Sequence, residues 1–198
     1  VCELDGTGNY PSLTFGRDGT LFAARGGNAL DIIDPCTCEV TQLGAMSGFG
    51  GVNGITTDQG VGLFGVSSGS DVLLDIETTT GASDVIGELG EDFGASGSTW
   101  SDQDEVLYAI NSNDDALYQV DPETGEAEYV ADLDLAFGSV GIELHPEDEV
   151  IYACSNAADL LSVDKLTGEV TIIGHMGHAG GCSNLAAPYV PVPCIDTL

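Results

Sequence analysis

One unit recurs four times in this chain, and its length dictates what the chain can become. Aromatic residues at Phe22, Phe64, Tyr108 and Tyr152 follow one another at intervals of 42, 44 and 44 residues. An acid keeps step at Asp34, Glu77, Asp121 and Asp164, and three residues after each stands a threonine: Thr37, Thr80, Thr124 and Thr167. The copy EVLYAINSNDDALYQVDPETGEAEYV, residues 105–130, parses as strand, polar loop, strand, tight turn and strand. EVIYACSNAADLLSVDKLTGEVTII, residues 149–173, matches it almost position for position. A fixed period of this length marks a repeat architecture in which each unit is one supersecondary motif.

The D-x-x-T-G spacing predicts a hairpin. The acid or proline opens the turn, and glycine supplies the positive φ that closes it. Cys38 stands where the other copies have Gly81, Gly125 and Gly168, a departure for which a local disulfide to Cys36 would compensate. A further strand precedes each unit: SLTF (12–15), GITT (54–57), STWS (98–101) and GIEL (141–144). Its approach carries Phe49-Gly50, Phe93-Gly94 and Phe137-Gly138, each 44 apart. Glycines there let backbones converge near an axis, where the three phenylalanines would wedge between sheets and frame a channel mouth. Strands such as VLLDI and VLYAI are apolar on both faces, as expected of sheets packed between neighbours.

Four-stranded antiparallel meanders of about 40–45 residues have the length of propeller blades. The fold expected is therefore all-β, a four-bladed β-propeller in one domain spanning residues 1–198. Its blades run over about 11–46, 47–90, 91–134 and 135–176, followed by a closing or donor segment at 177–198. Residues 11–187 resemble the β-propeller repeats of secreted microbial proteins, the YVTN-type, NHL-type and quinoprotein-like blades. The likeness rests on an inner strand, G-x-L-[FY], and then D-x-x-T-G. It implies an architecture and leaves activity open, since propellers host many functions.

The strand count does not close. GGCSNLAAP (180–188) reads as a fifth inner-type strand, one more than a four-bladed ring holds. Either SLTF near the start or SNLA near the end is surplus. The surplus would pack as a cap, or Ser183, Asn184, Leu185, Ala186 and Ala187 would complete a blade of a neighbouring molecule. Two chains would then build an eight-bladed ring, and many would build a filament if the rotation stays open.

Charge removes whole classes of partner. Against 33 acids stand three bases, Arg17, Arg25 and Lys165, for a formal charge of −30. Such a polyanion repels phosphate backbones and anionic membrane surfaces, and no apolar run approaches the length of a membrane span, so neither nucleic acid nor membrane insertion is expected. The acids are spread through the repeats, as in a surface adapted to high salt or seawater, or in one that holds divalent cations. Six cysteines, Cys2, Cys36, Cys38, Cys154, Cys182 and Cys194, predict disulfides and an oxidising compartment. Cys2 with Cys194 would close the ring, Cys154 with Cys182 would pin the surplus strand, and a bond between molecules at Cys2 or Cys194 would suit a polymer. The chain starts at VCELDG without a signal-peptide pattern, so a secreted protein would here be in its processed form.

Chemistry is less legible. His145, His175 and His178 lack the fixed spacing of zinc ligands and read as solvated loop residues. Asp102, Asp104 and Glu105 share one hairpin, and Glu147, Asp148 and Glu149 the same hairpin one blade later. With Asn111, Asn113, Asp114 and Asp115 they offer the hard oxygens that calcium takes, although no EF-hand pattern occurs. No nucleophile elbow is present and no catalytic residue stands out. The first expectation is an extracellular or cell-surface, non-enzymatic structural or interaction propeller that self-associates through a terminal strand, as in a filament subunit. The alternatives are a ligand-binding or hydrolytic propeller with its site at the channel mouth, and a calcium-dependent adhesion domain.

Overall fold

The computed structural model describes residues 4, 8–46, 48–60, 62–138, 140–177 and 180–194. Sixteen strands and no helix are found among them, grouped as four sheets of four strands each. Blade one comprises β1 (Ser12–Phe15), β2 (Leu21–Arg25), β3 (Ala29–Ile33) and β4 (Val40–Ala45). Blade two holds β5 (Val52–Thr57), β6 (Leu63–Ser67), β7 (Val72–Ile76) and β8 (Ser83–Glu88). Blade three holds β9 (Ser96–Ser101), β10 (Val106–Asn111), β11 (Ala116–Val120) and β12 (Ala127–Asp132). Blade four holds β13 (Gly141–Leu144), β14 (Ile151–Cys154), β15 (Asp159–Val163) and β16 (Val170–His175). Each is an antiparallel meander in chain order, arranged as a four-bladed β-propeller.

Local chemistry explains the repeat. In three of the four third turns an aspartate Oδ1 accepts two backbone amides, Asp34 from Cys36 and Thr37, Asp121 from Glu123 and Thr124, and Asp164 from Leu166 and Thr167. Those bonds hold the Asp34 and Asp164 carboxyls below the ordinary range. Cys38 takes the left-handed conformation of its glycine counterparts, φ 61° against 72° to 81° at Gly81, Gly125 and Gly168. Every blade also carries a register shift between its third and fourth strands, at Leu30/Asp31, Leu73/Leu74, Leu117/Tyr118 and Leu160/Leu161. This shared bulge re-aims the outer strand of each blade.

The core lies in the seams between blades. One apolar cluster joins blades one and two, another blades two and three, a third blades three and four. Phe93 and Phe137 are buried in the second and third of these, and Phe49 packs partly buried against the first. The amides of Phe93 and Phe137 donate to Asp71 and Asp115, and both rings wedge between sheets.

Inner strands follow one another around the ring, β1 against β5, β5 against β9, β9 against β13. Between β13 and β1 comes the C-terminal segment. Asn184 lies against Gly141 as Ser98 lies against Gly54, and its Nδ2 donates to the Tyr10 carbonyl at 2.6 Å. Ala186, Tyr189 and Val192 pack on blade one. The surplus segment thus occupies a fifth inner position within its own chain. It is irregular there, because no second strand lies beside it to form a ladder.

Two disulfides fix this segment, Cys154–Cys182 to blade four and Cys36–Cys194 to blade one. Cys36 and Cys194 bond each other, so neither the local Cys36–Cys38 bond nor a Cys2–Cys194 bond forms. The reason is the segment's path, which carries Cys194 onto the β3–β4 turn. Cys38 is also disulfide-bonded, and Cys2 lies outside the described residues.

Candidate functional site at the fourth seam

Register alignment shows what distinguishes the last seam. The downstream face of each blade presents an inner residue paired with the aromatic of its second strand: Thr14 with Phe22, Thr56 with Phe64, Thr99 with Tyr108. In blade four the pair is Glu143 with Tyr152. The third strand adds a leucine, wholly buried as Leu30, Leu73 and Leu117 but half-buried as Leu160. Further out, Leu43, Ile86 and Val130 pack into the next seam, whereas their counterpart Ile173 is 52% exposed. A Cβ on Gly44 or Gly87 would overlap the Thr80 or Thr124 carbonyl of the next blade; around Gly174 there is open space. Blade four therefore has the face of an internal blade without a following blade upon it.

Among the described residues the C-terminal segment alone covers that face, and it leaves a cleft of about 340 Å³ lined by Glu143, His145, Tyr152, Leu160, Leu185, Ala186 and Ala187. Strand alternation aims Glu143 there: Ile142 and Leu144 turn to the blade-three cluster, so Gly141 and Glu143 turn the other way. Glu143 is 3% exposed and neither carboxylate oxygen has a hydrogen-bond partner. Burial pushes its carboxyl up to about 8, although the Ala187 amide, close by but outside hydrogen-bond geometry, and the Arg17 charge pull the other way. His145 meets Tyr152 edge to face at 6.0 Å, and the Tyr152 hydroxyl donates to Asp148 at 3.1 Å.

The opposite wall of the seam departs from the repeat too. Blade one carries Asp31 where the other third strands have Leu74, Tyr118 and Leu161. Asp31 is fully buried and takes hydrogen bonds from Tyr10 Oη (3.0 Å) and Arg25 Nε (2.7 Å). At one end of the seam Arg17 grips Asp102 with both terminal nitrogens, donates from Nε to the Asp58 carbonyl at 2.8 Å, and lies 3.5 Å above the Tyr189 ring. Blades one, two and three and the C-terminal segment meet on this one side chain. Burial raises the Tyr189 hydroxyl well above its usual range, so it stays neutral.

The acidic residues read from the sequence are mostly engaged inside the protein. Asp102 holds Arg17, while Lys165 binds Asp104 and Glu149 and ties blade three to blade four. The Lys165 ammonium keeps the Asp104 carboxyl low. Asp148 binds Tyr152, Asp114 binds Tyr118, and Asp115 takes the Phe137 amide. Asn111 and Asn113 both donate to the Asp92 carbonyl on the other end of blade three. Glu105 and Glu147 are exposed on their hairpins. Among the described residues no three His, Cys, Asp or Glu side chains converge on a point that would hold a metal ion. Glu143 is invisible to pattern reading because GIEL looks like an ordinary strand; only its alignment with three threonines sets it apart. His178 lies outside the described residues, and the His175 Nδ1 accepts the Gly177 amide.

A larger groove of about 800 Å³ runs along the outer edge of blade three, between Glu105, Gln119, Asp121 and Tyr129. A matching groove of about 460 Å³ occurs on blade four, between Glu149, Ser162 and Asp164. Both are part of the blade's own shape and hold no buried polar group, so the smaller cleft is the better site.

No protein-family model and no curated protein matches the chain. Solved structures do share the fold. A protein of unknown function from Bacteroides thetaiotaomicron is 17% identical with a TM-score of 0.64, over 85% of this chain and 48% of the other. The nidogen/laminin complex contains a chain 12% identical with a TM-score of 0.66, over 89% and 67%. A catalytically inactive virginiamycin B lyase from Staphylococcus aureus, solved with quinupristin, is 15% identical with a TM-score of 0.56, over 90% and 73%. This chain spans about half the length of the Bacteroides protein. At such identities the likeness is one of fold. That fold is the β-propeller.

No helix of the described residues is long and apolar enough to cross a membrane. The two disulfides point to a non-cytoplasmic protein.

Proposed function

We propose that the chain is an extracellular, non-enzymatic binding propeller whose ligand site is the cleft of the fourth seam. One observation carries this reading: a blade face built for burial, bearing the buried and unpartnered carboxyl of Glu143, is covered among the described residues by the C-terminal segment alone. The cleft has the size and largely apolar lining of a small-molecule site, and its polar groups are few and convergent. The nidogen/laminin complex supports an interaction role for such a fold by analogy alone. Fragment screening by two-dimensional NMR on the full chain tests the site. Bound fragments are expected to shift the signals of Leu185, Ala186 and Ala187 in the wild type and to lose affinity in Leu160→Trp, which fills the cleft. Should that variant misfold, Leu160→Phe serves. Fragments that bind equally to the filled variant, or a screen without perturbation at these residues, overturn the reading.

A second reading is self-association, favoured by the unpaired outer edge of Ser183–Ala187 and by the exposure of Ile173. It calls for light scattering on the oxidised chain. A strictly monomeric species up to high concentration removes it.

A further inference from the structure

We infer that the fourth-seam cleft is built for an organic ammonium group carried on a small apolar body. This rests on the cleft being the binding site and adds the chemistry of what binds. Glu143 sets the sign of the ligand. Both its oxygens are buried without a partner, and an unpaired buried carboxylate is costly until a donor meets it. A cation with N–H groups satisfies charge and hydrogen bonding together. Arg17, the nearest base, does not serve, because its terminal nitrogens are taken by Asp102 and its Nε by the Asp58 carbonyl.

The walls set the body. Leu160, Leu185, Ala186 and Ala187 are apolar, and the Tyr152 and His145 rings stand at the rim. Aromatic faces attract cations, so an ammonium passing Tyr152 on its way to Glu143 is favoured along that route. Anions are disfavoured by the acidic hairpin Glu147–Glu149 beside the cleft and by a formal charge of −30. About 340 Å³ is near the lower end of natural ligand sites, which suits a compact amine.

The groups facing Glu143 are Arg17 from the β1–β2 hairpin, Tyr189 from the C-terminal segment, and His145 and Tyr152 from blade four. In the empty cleft Glu143 keeps its proton at neutral pH. Binding an ammonium group expels that proton, so affinity rises with pH, by up to about tenfold per unit, until Glu143 is ionised.

Three probes of one shape test the inference: butylammonium, 1-butanol and butyrate, titrated by calorimetry into the full oxidised chain in 0.5 M salt. Butylammonium is expected to bind at least tenfold more tightly than 1-butanol, and butyrate not at all. Glu143→Gln should erase that preference, whereas general attraction to a polyanion would survive the loss of one charge among 33 acids. Binding between pH 6 and 8 should release a proton in the wild type and none in the variant. A capped lysine dipeptide distinguishes a free amine from a lysine tip on a protein, by whether it binds more weakly or more tightly than butylammonium. Equal binding of 1-butanol, lost in Leu160→Trp but kept in Glu143→Gln, overturns the ammonium inference while leaving the cleft in place. Absence of binding by all the probes overturns it too, and the fragment screen then decides the cleft separately.

Discussion

The seam between blades three and four and the seam that follows blade four are made from the same repeat, yet they are different objects. In the first, Thr99, Tyr108 and Leu117 meet Ile142, Leu144 and Leu161 across a dry apolar contact. Thr99 Oγ1 also accepts the Leu144 amide at 2.7 Å, so even its hydroxyl is used. In the second, the corresponding Glu143, Tyr152 and Leu160 meet a single irregular segment, and the carboxylate has no partner. One seam is held by packing; the other is held by two disulfides and encloses a cleft. The outward face of blade four is thus closed only in part.

The largest effect should come from the staples. Cys36→Ser/Cys194→Ser opens a closure of 158 residues and Cys154→Ser/Cys182→Ser one of 28. Loop entropy puts these at about 5 and about 3.5 kcal/mol. Urea unfolding should show the first pair losing more, with hydrogen exchange rising at residues 182–194 before it rises in β5–β12. Equal exchange throughout the ring would mean that the fourth seam is no weaker than the others.

Truncating one leucine in each seam sharpens the contrast. Leu117→Ala removes a fully buried side chain from the third seam and should cost about 3 kcal/mol, within the usual range for such cavities. Leu160→Ala, half-buried on the cleft wall, should cost about 1 kcal/mol or less. Similar losses would show that the fourth seam is packed like its siblings.

The same contrast explains how much could be read in advance. Period, hairpin turns and the doubly apolar inner strands follow from local rules, and each blade repeats them with a largely exposed outer strand. The surplus at 180–188 was legible as well, since SNLA repeats an inner strand one period after GIEL. Its course was not, because whether a chain end folds back or reaches a neighbour depends on long-range contacts such as Asn184 to Tyr10. Of the disulfides, Cys154–Cys182 joins the expected pair, whereas Cys36–Cys194 does not, for the same reason. Cys36 is two residues from Cys38 along the chain, but the segment's path brings Cys194 to it. The candidate site was hidden differently. Acidic hairpins drew attention as clusters, and most of those acids proved to bind Arg17, Lys165, tyrosines or backbone amides. Glu143 and Asp31 are single acids inside apolar strands, each meaningful only against the residues at the same place in three other blades.

Glu143 also yields the finest test of the difference between seams, through pH. A glutamate in an unfolded chain titrates near 4.3, whereas burial holds this one up at about 8. The folded protein thus keeps a proton that the unfolded chain releases in between. The stability this provides is complete below about pH 4, declines as pH rises, and is gone above about 8. Thr99, its counterpart in the packed seam, has no such dependence. Glu143→Gln keeps the shape and removes the titration. Between pH 6 and 8 the wild type should therefore lose roughly 2 kcal/mol that the variant retains, as read from paired urea titrations. Parallel curves would mean that Glu143 is already ionised in the folded protein and that a partner inside the seam satisfies it. Saturating butylammonium at pH 8 should narrow the same gap, since a bound ammonium group replaces what the lost proton supplied.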